Sequence, residues 1–346
     1  MNRIIKWLIF FFIALLAIFI ILARPYYAFV TDTLKISPFK ALFSRDGLIT
    51  YDNQVNILFL GIAGGNHDGP NLSDTIIVVN YNFKTNKLAT ISIPRDIWSP
   101  ALRDKINSAY AYGEEAKKDG GGFTLARAEV SRIVGLPIPY AAVIDFDKFK
   151  GLIDFLGGIE VNVERSFTDK KFPIEGKEND DCGGTDLEYL CRYETVSFKK
   201  GLTKMDGETA LKFVRSRNAE GPEGTDFGRE ARQQKVIDAV KNTMIDMAKK
   251  RNLESYNRLY ELLNSLIKRD VSNQQLAIIA KNIILRKNFE LNKLTLEETL
   301  FENPPISDTY DYRWVLIPGG GNYDKIHSLI KCRLENEGEN NHRSCD

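Results

Sequence analysis

Residues 226–250 read DFGREARQQKVIDAVKNTMIDMAKK, and the first turns of this segment carry the densest set of anion-holding groups in the chain. At 100° per residue, Arg229, Arg232 and Gln233 share a helical face with Val236, Val240 and Met247. The apolar stripe has to pack inward, so its N-terminal end carries three polar residues, two of them arginines, toward the interior. Cations at a helix N-terminus also oppose the helix dipole. A bound anion resolves both conflicts, because free backbone N–H groups and guanidinium forks both favour phosphate. In the alternative, the arginines snorkel outward or pair with Asp226 and Glu230.

Further charges stand at element ends. Arg215 and Arg217, as RSR after ALKFV, lie on one side of an extended segment. Arg95 and Asp96 follow the strand LATISIP, Lys105 and Asn107 open the next helix, and Asp74 sits in LSDT before TIIVV. Singly these are ordinary surface charges. Together, several guanidiniums and one carboxylate are what a diphosphate–metal site requires. The arginines neutralise phosphate oxygens and Asp74 holds Mg²⁺ or Mn²⁺. GIAGGNHDGP is Gly-rich but lacks both GKS/GKT and the dinucleotide spacing, so it reads as a flexible turn, with His67 and Asp68 as candidate contacts. There is no CxxC and the three histidines are scattered, which argues against zinc.

The elements that position these groups alternate between strand and helix. VNILFLGI is a buried-strand run, and TIIVVNYNFKTNKLATISIP is a hairpin turning at residues 82–86. Helices follow in KINSAYAYGEEAKK and over residues 123–134, separated by the glycines at 120–122. Asp145 caps a helix whose Phe146, Phe149, Leu152, Ile153 and Leu156 recur at helical spacing. IEVNVER is again a strand, and a Gly/Asp-rich excursion over 169–195 leads to KMDGETALKFVRSR. Beyond residue 251 the pattern is helical to Arg286, then strand-like in RWVLIP, then helical to about Leu334. The expected fold is α/β or α+β, a central mixed sheet flanked by helices. Expected divisions are an anchor at 1–24, a stalk at 25–50, a catalytic domain at 51–250 and a C-terminal extension at 251–346.

Residues 7–23, WLIFFFIALLAIFIILA, run for 17 residues without a charge. With Ile4, Ile5 and a snorkelling Lys6 the stretch reaches the ~20 residues of a bilayer span. A cleaved signal would show a shorter apolar run and small residues at its end; here bulky side chains continue to Leu22 and meet Arg24, Pro25, Tyr26 and Tyr27. Arg3, Lys6 and the amino terminus on one side predict a cytoplasmic N-terminus, with the rest of the chain outside. Cys182 with Cys191 and Cys332 with Cys345 are then the economical disulfide pairs; four free thiols are the alternative. The net charge of +1 excludes binding nucleic acid through bulk charge. Four cysteines in 346 residues exclude a disulfide-built scaffold.

The ordered series NILFLGI, LSDT, SIPRD, KINSAYAYG, DFLGGIEVNV, GETALKFVRSR and DFGREARQQ resembles the LytR-CpsA-Psr family of bacterial envelope phosphotransferases over about residues 55–240. The resemblance implies an anchored enzyme with its catalytic domain outside the cytoplasm. Its donor would be a polyprenyl-pyrophosphate-linked glycopolymer, whose phosphate is transferred to a cell-wall glycan hydroxyl. The lipid tail would enter an apolar tunnel between sheet and helices, which gives Phe146, Phe149, Leu152 and Phe155 a second role beside core packing. By the same resemblance Asp74 looks like the metal-binding carboxylate. Arg95, Lys105, Arg215, Arg217, Arg229, Arg232 and Gln233 look like the pyrophosphate cradle, and Asp226 would orient the arginines or help activate the acceptor. One departure stands out: where many members have an acid in LG-x-D, this chain has Gly61, Ile62 and Ala63, leaving Asp68 as substitute. Two other readings fit the same residues, hydrolysis of the lipid pyrophosphate and non-catalytic, regulatory binding of lipid-linked polymer.

Overall fold

The computed structural model of the chain describes residues 3–65, 69–177, 179–184, 186, 188–249, 252–285, 290–296, 298–336 and 345. Helix α1 (Arg3–Ala28) opens the chain, and a π-helical turn (Phe29–Thr33) continues it. From Phe10 to Thr33 it is long and apolar enough to cross a membrane. The helix outruns the expected 1–24 anchor, carrying Pro25 within it, and just beyond its end Phe29 meets the Tyr256 ring at 6.3 Å. The expected stalk is therefore helical at its start, and α2 (Pro38–Phe43), capped by the Ser37 hydroxyl, follows it.

Strand β1 (Gln54–Ile62) alternates cleanly, sending Leu58, Leu60 and Ile62 to one core and Val55 and Ile57 to another. β2 (Ser73–Asn82) and β3 (Lys87–Ser92) form the expected hairpin. Asn82 Oδ1 accepts from the N–H groups of Lys84 and Thr85, and Asn86 takes the left-handed conformation, so the turn residues set the register. The short β4 (Trp98–Ser99) and β5 (Asp104–Lys105) pair with each other and lead into α3 (Ala109–Ala116) and α4 (Gly121–Val134). β6 (Tyr140–Asp145) runs into α5 (Phe146–Phe155), whose cap is Asp145 as expected.

β7 (Ile159–Val163) is the expected strand, yet it joins a ribbon with β10 (Gly201–Met205) rather than the central sheet. β8 (Phe167–Pro173) and β9 (Tyr193–Phe198) form a second hairpin inside the excursion. These ribbons share one core with α5, α6 (Gly207–Arg215), α7 (Asp226–Lys249) and α8 (Leu253–Leu266).

The central sheet has six strands in the order β11-β6-β1-β2-β3-β12. β1–β6 and β3–β12 pair parallel and the other neighbours antiparallel. Both edges come from beyond residue 251: β11 (Ile267–Arg269) and β12 (Glu290–Thr295), with α9 (Asn273–Leu285) between them. The segment read as an extension thus completes the sheet, and β11 interrupts what had read as continuous helix. β13 (Phe301–Glu302) pairs with β14 (Ile317–Pro318), and α10 (Asp324–Asn336) ends the described fold. α3, α4 and α10 cover one sheet face and α9 part of the other. Both expected disulfides, Cys182–Cys191 and Cys332–Cys345, are formed.

Candidate active site

The site forms where strand ends meet. β1 and β6 finish side by side at Ile62 and Asp145, β2 begins there, and β3 ends two strands away at Ser92. Ile76 and Val78 of β2 point into the core with β1's even residues, so strict alternation would bury Asp74 with them. A register shift prevents this: Gly61 faces Thr75 while Ile62 faces Ser73, leaving Asp74 as the extra residue of a bulge. Its carboxylate emerges half-exposed and pairs with the Arg95 guanidinium. Arg95 Nε lies 3.7 Å from Asp96 Oδ2, and Lys105 Nζ donates to Asp96 Oδ1 at 2.6 Å. Asp74, Arg95, Asp96 and Lys105 therefore form one alternating chain of charge. Next to Asp74, the Ser73 hydroxyl is buried without a hydrogen-bond partner.

Asp104 braces this chain from below and is buried. Burial raises its carboxyl, but the Tyr112 hydroxyl, the Lys105 N–H and the Arg313 guanidinium outweigh that and hold it below the ordinary range. Arg313 comes from 209 residues farther along and has no motif around it. Trp314 follows, its ring centroid 5.9 Å from Lys105 Nζ. Tyr110 of KINSAYAYG is buried, and burial with Glu114, Asp119 and Asp145 pushes its hydroxyl up to about 12.

The remaining arginines gather where α6 meets α7. Arg232 does point inward and is buried, but its guanidinium is occupied by the protein. Nε donates to Phe213 O at 2.8 Å, Nη2 to Ser216 O, and Nη1 to Glu223 O and Oε2 at 2.6 and 2.9 Å. The group also stacks 4.8 Å from the Phe167 ring. Arg232 is thus a clamp between α7 and the turn after α6, not a free cradle member. Gln233, expected on the same inward face, is exposed, because the buried stripe runs through Arg232, Val236, Ala239 and Val240. Arg215 is the last residue of α6 rather than part of an extended run. The N–H groups of Arg217 and Asn218 both donate to Asp169 Oδ2, a fully buried carboxylate that no sequence signal marked. Arg229 is half-buried in the first turn of α7, and Gly228 is required beside it because a Cβ would lie 2.4 Å from Pro222 O. The side chain of Asp226, and all of His67 and Asp68, lie outside the described residues.

On the sheet face opposite α3 and α4, Phe59, Ile77, Val79 and Thr90 are only partly buried, and Phe146, seated against Gly61, is exposed at the site's edge. Phe59 packs against the core that includes Ile279 of α9, and Ile77 and Phe146 continue this face as an apolar strip toward the strand ends. Phe149 is partly buried and Leu152 and Ile153 lie in the core, so the α5 stripe is mainly packing. A separate cavity of about 750 Å³ lies at the β11 edge, lined by Leu34, Tyr110, Phe123 and Gln274 among others, away from the Asp74 chain.

A metal at Asp74 would find hard carboxylate oxygens, which suit Mg²⁺ or Mn²⁺. Among the described residues, Asp74 belongs to no ligand-spaced group of three. The group that has such spacing, Asp180 with Cys182 and Cys191, has both sulfurs locked in a disulfide. One carboxylate plus substrate phosphates is a normal Mg²⁺ environment, so the residues fit a metal that arrives with its substrate.

Residues 31–327 match the LytR_cpsA_psr family, and the chain belongs to that family. It is 30% identical over 238 residues to a Bacillus mycoides protein named polyisoprenyl-teichoic acid–peptidoglycan teichoic acid transferase TagU; the match covers 68% of this chain and 66% of that one. It is 32% identical over 206 residues to the regulatory protein MsrR of Staphylococcus aureus, covering 58% and 52%. Among solved structures, B. subtilis TagV superposes with a TM-score of 0.50 at 23% identity, covering 82% of this chain and 98% of that one. A protein described as a transcriptional regulator from Enterococcus faecalis gives 0.51 at 24%, covering 82% and 88%. These likenesses establish the same mixed α/β fold.

Proposed function

We propose that the protein is a membrane-anchored phosphotransferase that moves a glycopolymer phosphate from a polyprenyl-pyrophosphate carrier to a cell-wall glycan hydroxyl. The observation that carries this reading is Asp74, re-aimed by a bulge onto Arg95 and continued through Asp96 to Lys105. The TagU name of a relative supports the donor and acceptor classes. The N-terminal apolar helix supports the anchor. In this reading the N-terminus is cytoplasmic and the folded part lies outside, where its two disulfides persist.

The donor pyrophosphate would lie against Arg95, Lys105 and Arg229, with Arg215 and Arg217 as further members and its tail along the apolar strip of Ile77 and Phe146. An acceptor hydroxyl attacks the phosphorus next to the sugar, the new P–O bond forms, and the bond to polyprenyl phosphate breaks. The hydroxyl proton passes to a carboxylate, for which Asp226 is the sequence candidate. Asp74 would hold Mg²⁺ or Mn²⁺, which when bound supplies charge neutralisation on the phosphate oxygens. Positioning and electrostatics do most of the work, because little covalent chemistry is asked of the protein.

The test is transfer by the full chain in vesicles, using lipid-linked polymer with and without peptidoglycan. Asp74→Asn and Arg95→Ala should each lower transfer by at least about 10²-fold. Their melting points should stay close to wild type, since the Asp74–Arg95 pair is half-exposed and adds little stability. Retained transfer in both sinks this site. Polymer release that ignores the acceptor assigns hydrolysis, and donor binding without turnover in Mg²⁺ assigns a regulatory binder.

A further inference from the structure

Beside Lys105 the chain presents aromatic rings that the pyrophosphate chemistry leaves unused. Trp314 is 48% exposed although it lies in an otherwise well-anchored segment. Tyr312 is 72% exposed and Tyr112 38%. A structural aromatic at this place looks different: Trp98 of β4 is buried and packs edge-on against Tyr310 of this segment at 5.5 Å. Trp314 has no such partner ring among the described contacts. Its ring lies near the Lys105 ammonium, itself in the charge chain that runs to Asp74.

The frame holding these rings is rigid. Leu316 N donates to Asp96 O at 3.0 Å and Trp98 N to Leu316 O at 2.8 Å, which ties the segment to the strand end that carries Arg95. Val315, on the other side of Trp314, is fully buried, and Asn303 Nδ2 donates to its carbonyl at 2.7 Å. Arg313 is pinned by buried Asp104 and lies 3.3 Å from Asp311. Asp311 and Tyr312 both take left-handed backbone conformations, at φ 53° and 54°, although neither is glycine. Exposed indole and phenol rings on a strained, tightly tied loop beside a charged site are the makings of a recognition surface.

We infer that Trp314, flanked by Tyr312 and Arg313, is a platform that binds a pyranose ring next to the phosphate held by Lys105 and Arg95. The inference rests on the phosphotransferase reading for what lies beside the sugar, though binding itself needs no turnover. One face of a pyranose is a patch of axial C–H groups that packs flat on an indole, while its hydroxyls project at the rim and need polar partners. Arg313 and Asp311, exposed in the same loop, offer a donor and an acceptor within reach of such hydroxyls. The sugar can belong to the donor, as the residue attached to the pyrophosphate, or to the acceptor glycan strand.

The two sources are separated by two probes offered to the full chain in nanodiscs: oligosaccharides of N-acetylglucosamine and N-acetylmuramic acid free of pyrophosphate, and a polyprenyl-pyrophosphoryl disaccharide. Trp314→Ala should weaken one probe by about tenfold or more, and Trp314→Phe should restore most of that loss with an unchanged melting temperature. Loss for the first probe assigns the acceptor, and loss for the second the donor. Wild-type affinity of Trp314→Ala for both probes overturns the platform, as does a loss that tracks a lowered melting temperature. If the wild-type chain binds sugar through Trp314 but transfers nothing, the phosphotransferase reading fails while the platform stands. If transfer proceeds while Trp314→Ala binds both probes normally, the reverse holds.

Discussion

Replacing Arg232 by Met separates a structural arginine from a ligand-binding one. In the fold its guanidinium serves three carbonyls, those of Phe213, Ser216 and Glu223, and the Glu223 carboxylate, and is 2% exposed. Methionine keeps much of the apolar contact with Phe167 and Phe213 but satisfies none of the oxygens. Glu223, 17% exposed, is then left charged without its partner. Breaking a buried pair from one side costs about 3–5 kcal/mol. For a fold of this size each kcal/mol lowers the melting temperature by about 2 °C, so Arg232→Met should melt roughly 6–10 °C below wild type. Adding Glu223→Gln removes the stranded charge and should recover about 1–2 kcal/mol, a positive coupling in a double-mutant cycle. Arg232→Lys should resemble Met more than Arg, because one ammonium cannot reach oxygens on three sides. Thermal unfolding of the full chain in detergent, with donor affinity measured alongside, provides the readout. If Arg232→Met melts with wild type yet loses the lipid-linked donor, Arg232 faces substrate and the clamp is wrong.

The other predictions concern the site's metal and its brace. Ala63→Asp supplies the acid that the LG-x-D resemblance leads one to expect there, and should lower the Mg²⁺ concentration needed for half-maximal transfer severalfold; an unchanged Mg²⁺ titration refutes a metal at Asp74. Asp104 is held below the ordinary carboxylate range, so the stability it contributes is fully present above that range and is lost as pH falls through its own lowered value. Trp314 emission should therefore stay constant from neutral pH down to the ordinary carboxylate range and change only in more acidic solution. Asp104→Asn should show the acidic spectrum already at neutral pH, and an emission that titrates near neutrality contradicts this bracing.

Much of this was legible in the chain because its signals are local. The hairpin at residues 82–86 is written in Asn82 and Asn86, which supply the turn's own acceptor and its left-handed residue. The α5 start is written in Asp145, which accepts from Asp147 N two residues on. The same holds for the 17-residue apolar run and for the family motifs, whose order survives without any knowledge of contacts. Asp74 is a candidate through LSDT together with the family resemblance, since taken singly it reads as an ordinary surface charge.

Tertiary structure decided how those residues are used. A bulge between Gly61 and Ile62 re-aims Asp74, and a one-residue register shift leaves no trace in a pattern of residue types. Arg232 and Gln233 read alike on a helical wheel, yet one is buried and the other exposed. The partners that draw Arg232 in are mostly backbone carbonyls, which every residue possesses and no sequence can distinguish. Asp104 waits for Arg313 from 209 residues away, and both sheet edges come from the last hundred residues, because closing such long loops costs little beyond closing short ones. The sequence determined which charged groups the protein has; folding decided where each one stands and what it is paired with.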